Sequence, residues 1–146
     1  MPKGKPIHVE YKTLVVIWFS LLASQIVFLG FVYYIRPELF SFDPSRSILG
    51  DAPLVTVVFG AIALLFLILS FVLSRQHMRR AEQDKDAGCV QTGLVLGCAL
   101  AEVPSLLGLV LALAFSHPYF YLWIIVGVVG ILLHFPRRGN LDAALL

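Results

Sequence analysis

Four apolar runs, at 14–35, 54–73, 90–115 and 119–135, leave this chain of 146 residues few folds to choose from. Each approaches the roughly 20 residues that carry a helix across a bilayer core. In lipid every backbone N–H and C=O must find its partner inside the chain, which a long apolar run achieves as a helix. A soluble domain could not cover so much apolar surface, since 59% of the residues are hydrophobic. The pattern predicts an all-α integral membrane protein: one transmembrane domain over 1–146, built as an up-down-up-down bundle of four helices. The basic start, "MPKGKPIHVEYK", followed by an apolar run, has the outline of a signal peptide. That run is longer than a signal h-region and lacks a small-residue cleavage site, so it reads as a retained helix. Arg36-Pro37 closes the first run and Pro136 the fourth. Asp51 is the expected cap of the second helix, with Pro53 in its first turn.

Charge placement predicts the orientation. Lys3, Lys5, Lys12, Arg75, Arg79, Arg80, Lys85, Arg137 and Arg138 flank one side of the runs; Arg36 and Arg46 flank the other. Nine bases against two place both termini and the middle loop in the cytoplasm. Tyr33, Tyr34, Tyr119, Tyr121 and Trp123 gather at the outer boundary, with Tyr11 and Trp18 at the inner one. The expected location is a bacterial inner (plasma) membrane.

The third run, "VQTGLVLGCALAEVPSLLGLVLALAF", differs from the others. Gly93, Gly97, Ala101 and Ser105 recur every four residues, and Gly108 continues nearly the same face. Such a stripe of small residues lets another helix approach closely in lipid. Whether that helix is internal or belongs to another copy stays open at this level. Beside the stripe stands Glu102, the only acid inside any run, with no Lys or Arg in a run interior to neutralise it. A bare carboxylate at that depth costs several kcal/mol, so the neutral acid is expected at rest. Pro104 has no N–H for the carbonyl of Leu100, which opens a polar notch one turn before it, close to Glu102. On a helical projection Glu102 shares an edge with Gln91, Cys98 and Ser105. The first run carries Ser20, Ser24 and Gln25 near its middle, and Gln25 is the best-placed partner for the carboxyl. The expected ion-binding set is therefore Glu102, Gln25 and Ser105.

These residues resemble the carboxylate helix of the c subunit, the proteolipid of rotary ATP synthases. Gly97, Ala99, Glu102 and Gly108-Leu109-Val110 match that family's Gly-x-Ala-x-x-acid and following Gly-Leu-Val. Arg79 and Arg80 stand where the family has an arginine-bearing cytoplasmic loop. The resemblance covers 79–115 and implies that Glu102 carries a proton or a sodium ion. It does not extend to a rotor role. The preceding run has a single glycine, Gly60, where the family's other helix is glycine-rich, and the proline follows the acid by two residues.

The remaining classes of function find little support. Net charge is only +2, which argues against nucleic acid. His8, His77, His117 and His134 are scattered among tails, loops and run ends without metal-ligand spacing, so neither a metal nor another cofactor is expected. His117 and His134 read as interfacial side chains. Cys89 and Cys98 lie nine positions apart on one helix, about 13 Å, too far for a disulfide. No nucleophile motif argues for an enzyme. Two readings remain: a small membrane component in which Glu102 binds a proton or sodium ion, and a structural or assembly subunit in which Glu102 stays protonated. The partners they imply are the lipid bilayer, that ion, and other copies of the chain or a larger membrane complex.

Overall fold

The computed structural model describes residues 10–41, 45–139 and 142; Lys3 and Lys5 lie outside them. The described residues form four helices and no strand: α1 Tyr11–Ile35, α2 Pro53–Asp84, α3 Ala87–Phe115 and α4 Phe120–Leu133, with a 3-10 turn at Pro37–Phe40. α1, α2 and α3 are long and apolar enough to cross a membrane. α4 has 14 residues, about 21 Å of helix, less than the expected 119–135. It starts after Tyr119 and ends at His134, inside the brackets set by Pro118 and Pro136.

Two expectations need correction. The polar stretch from Arg75 to Lys85, expected as a loop, is helix as far as Asp84. The sequence "SRQHMRRAEQD" is rich in strong helix formers and has neither glycine nor proline to stop it. The real turn is short. Lys85 takes a left-handed conformation (φ 50°), and the Asp86 carboxylate caps α3 by accepting from the Gly88 N–H at 2.8 Å. Nor does Asp51 cap α2. Ala52 holds the N-cap position with no side-chain bond, and Asp51 lies one residue too far out. Pro53 does open the helix, where its missing N–H costs nothing.

α3 is the central element and packs against all three other helices. Its small-residue stripe is buried against internal partners. Gly93 lies under His77 of α2, and Gly97 between Ser74 of α2 and His134 just after α4. Ala101 meets Gly130, Ser105 meets Gly127, and Gly108 lies under Trp123, all on α4. The question the stripe left open is thus answered within one chain. α1 closes the bundle from the other side. Trp18 Nε1 donates to the Ile131 carbonyl at 2.8 Å, and the Tyr11 hydroxyl donates to the Pro136 carbonyl at 3.3 Å. These bonds put the start of α1 and the end of α4 at one end of the molecule. At the opposite end Arg36 donates to Ser116 Oγ at 3.2 Å and to the Leu113 carbonyl at 3.4 Å, a cation placed on the C-terminus of α3.

The outer surface of the helices is apolar. Ile26 is 73% exposed, Leu54 76% and Leu133 67%. Exposed apolar surface on this scale marks contact with lipid or another apolar phase. Inside, two apolar clusters form. One surrounds Leu14, Val90, Leu94, Cys98 and Ile131; the other surrounds Val32, Ala112, Phe120 and Ile124.

Candidate functional site

Along both α1 and α3 a polar group falls between those two clusters. α1 supplies Ser24 and Gln25; α3 supplies Glu102. The Ser24 hydroxyl donates to Glu102 Oε1, and Gln25 Nε2 donates to the same oxygen at 3.1 Å. Gln25 Nε2 also lies 3.3 Å from Ser24 Oγ. Gln25 is buried, with 1% of its surface exposed, and Glu102 is half-buried. No cation pairs with Glu102 among the described residues. The carboxyl is held by neutral side chains.

The Ser24 hydroxyl has one proton and two acceptors. Besides Glu102 Oε1, it lies 2.7 Å from the carbonyl of Leu21. A carboxylate uses that proton together with one from the Gln25 amide. A carboxylic acid reverses the bond: it donates to Ser24 Oγ, and the hydroxyl turns its proton to Leu21. Both states of Glu102 are therefore hydrogen-bonded, and they differ by the rotation of one hydroxyl. Gln25 Oε1 is buried with no hydrogen-bond partner among the described residues. It is a spare acceptor beside the carboxyl, in a place where an unpaired polar atom costs about 1–3 kcal/mol.

The other expected site residues are placed as follows. Pro104 is buried inside α3, which passes through it unbroken, so the carbonyl of Leu100 has no Pro104 N–H to accept from. Ser105 is buried and turned to α4, where its hydroxyl donates to the Ile124 carbonyl at 3.4 Å. The structure does not bring its hydroxyl to Glu102, because that hydroxyl is taken by the Ile124 carbonyl of α4. Cys98 is buried in an apolar cluster and Gln91 is half-buried. Ser20 is exposed and bonds back to the carbonyl of Val16 at 2.8 Å. Gly93, Gly97, Ala101 and Gly108 lie against neighbouring elements at close packing distance.

His117 and His134 are packed inside the bundle. They are 3% and 8% exposed. Gly97 leaves room for His134, which stacks on Phe71 at 4.7 Å. Gly50, at φ +65°, leaves room for His117; a Cβ there would stand 2.7 Å from its ring. Among the described residues no group of three or more His, Cys, Asp or Glu side chains is arranged to hold a metal.

Ser24 stands outside the expected ion-binding set, yet its hydroxyl reaches Glu102 as well as its own helix. Its position one residue from Gln25, at the depth of Glu102, was the available signal. No protein family, curated protein or solved structure matches the chain.

Proposed function

We propose that this protein is a small polytopic membrane component in which Glu102 reversibly binds a cation, with the proton favoured over sodium. The observation that carries the reading is the pair Ser24 and Gln25 on a carboxyl that has no cationic partner. A purely structural acid needs one satisfied state. This one has two, linked by a hydroxyl rotation. Stability gives little reason to keep such a group, since polar contacts between membrane helices average about 0.6 kcal/mol. An ionisable group at this depth is a functional site by default. The likeness of the α3 sequence to proteolipid helices agrees with this reading. The basic end of the bundle, carrying Arg75, Arg79 and Arg137, faces the cytoplasm in it.

The test is reversible titration of one carboxyl in the reconstituted protein. Infrared difference spectra should show a neutral-carboxyl band that is lost as pH rises and restored as it falls, absent from Glu102→Gln. Dicyclohexylcarbodiimide, which attacks protonated acids in apolar places, should label Glu102 and label it less as pH rises. Protection by sodium would make sodium the bound ion. A neutral-carboxyl band that persists from mildly acid to strongly alkaline medium would make Glu102 a fixed structural acid and end the proposal.

A further inference from the structure

A second polar feature lies at the other level of the bundle, where the helices reach their basic end. A cavity of about 400 Å³ opens there between the four helices. Arg75 and Arg137 line it, and its walls include Leu14, Leu94, Leu133 and Phe135. Arg75 is the first charged residue after the apolar stretch of α2, and Arg137 the first after α4. Both therefore stand at the depth where a bilayer changes from acyl chain to headgroup. Neither has an acidic partner among the described residues.

The walls are built and not incidental. Trp18 meets Phe135 edge-to-face at 5.0 Å, and its indole N–H holds the carbonyl of Ile131. The Tyr11 hydroxyl holds the Pro136 carbonyl, one residue before Arg137. The following Arg138 stacks over the Tyr11 ring at 4.8 Å. His134, at the floor, has Nδ1 2.7 Å from the Gly130 carbonyl and Nε2 3.4 Å from the Ser70 carbonyl, and a neutral imidazole donates to one of them. The arginine charges on the cavity are the two guanidiniums. Guanidinium groups pair with phosphate oxygens in a planar, two-pronged geometry. Apolar walls below them suit the first carbons of an acyl chain.

We propose that this cavity is a binding site for an anionic phospholipid, its phosphate between Arg75 and Arg137 and its chain against Leu14 and Phe135. A basic pocket between membrane helices at their polar ends has the chemistry for such a headgroup. The site is separate from Glu102, and the proposal stands or falls independently of ion binding.

The experiment uses the full chain purified in mild detergent. Native mass spectrometry counts retained lipid, and thermal denaturation is followed with added phosphatidylglycerol, phosphatidylcholine or inorganic phosphate. One phosphatidylglycerol per chain should be retained, with a rise in Tm that phosphatidylcholine does not reproduce. Arg75→Gln and Arg137→Gln should each weaken binding about fivefold, and the pair about 25-fold. Leu133→Trp keeps both charges and fills the cavity; it should also lose the retained lipid. Equal retention of the two lipids, or full affinity in the double arginine variant, would overturn the proposal. Full binding by Leu133→Trp would do the same, since it would reduce the arginines to diffuse surface charge. An equal Tm rise with inorganic phosphate would make the ligand a soluble anion and remove the lipid.

Discussion

Gln25 Nε2 stands 3.1 Å from Glu102 Oε1, joining α1 to α3 at the one acid inside the four apolar runs. The same amide leaves its Oε1 buried and unpartnered among the described residues. Its two ends therefore act in opposite directions. Gln25→Leu removes a bond worth about 0.5–1.5 kcal/mol and also removes an unsatisfied acceptor that costs about 1–3 kcal/mol. The variant should be as stable as the parent or slightly more so, while its carboxylate has lost one of its two donors. Thermal denaturation should give an unchanged or higher Tm, and the infrared signal of Glu102 deprotonation should shrink. A strong fall in Tm would show that the amide holds the bundle together.

The α3–α4 contact predicts a steric pair. A Cβ on Gly127 would lie 1.9 Å from Ser105 Oγ and 3.3 Å from its backbone nitrogen. Gly127→Ala should destabilise by about 1–3 kcal/mol, the cost of overpacking. Ser105→Ala removes the nearest atom, so the double variant should recover part of the loss, a coupling that a double-mutant cycle measures. Gly30→Ala, with nothing within 4 Å, is the control and should cost nothing.

A pH response is expected at the end of the bundle that holds the turn between α3 and α4. His117 Nδ1 accepts from the Tyr119 N–H at 3.2 Å, and its Nε2 is buried without reaching hydrogen-bond geometry. Burial pushes the imidazole below its ordinary value of 6.5; the nearby carbonyls of Ile48 and Leu49 and the Asp51 carboxylate pull the other way but do not prevail. The unfolded chain then takes up a proton near 6.5 that the folded chain refuses until lower pH. The contribution of His117 to stability is complete above 6.5 and is lost as pH falls from there through the folded value. Tm should drop on acidification through this window, and His117→Gln should flatten the drop. An equal drop in both proteins would assign the response to other groups.

Orientation follows from the bases. A reporter after Arg138 and another at Ser47 should fall on opposite sides of the membrane, with Arg138 in the cytoplasm. The shared end of Tyr11 and Pro136 makes a further demand: a tag ahead of α1 must report the same side as Arg138. A tag on the side of Ser47 would contradict the four-helix path.

The helices were legible because their cause is local. Apolar runs of this length admit one backbone solution in lipid, and the prolines at 37, 53 and 136 mark boundaries by what they cannot donate. The boundary near Arg75 is not legible in the same way, because a polar stretch ends an apolar run without ending its helix: Arg, Gln, Met, Ala and Glu are all strong helix formers.

Counting along the chain is enough to single out Glu102 as the lone acid of the apolar runs, to set Ser24 and Gln25 at a matching depth, and to give α3 its small-residue stripe. These are counts and spacings along single helices. Only the tertiary structure decided which faces meet. It turned the stripe to α2 and α4, with Ser105 on α4, and Glu102 to Ser24 and Gln25 of α1. It also buried His117 and His134 against glycines distant in sequence, and set Arg75 and Arg137 on one cavity. The physical reason is that a helix fixes the directions of its side chains relative to one another, but not its own rotation about its axis. That rotation is set by close packing with neighbours, a property of pairs of helices that no single run contains.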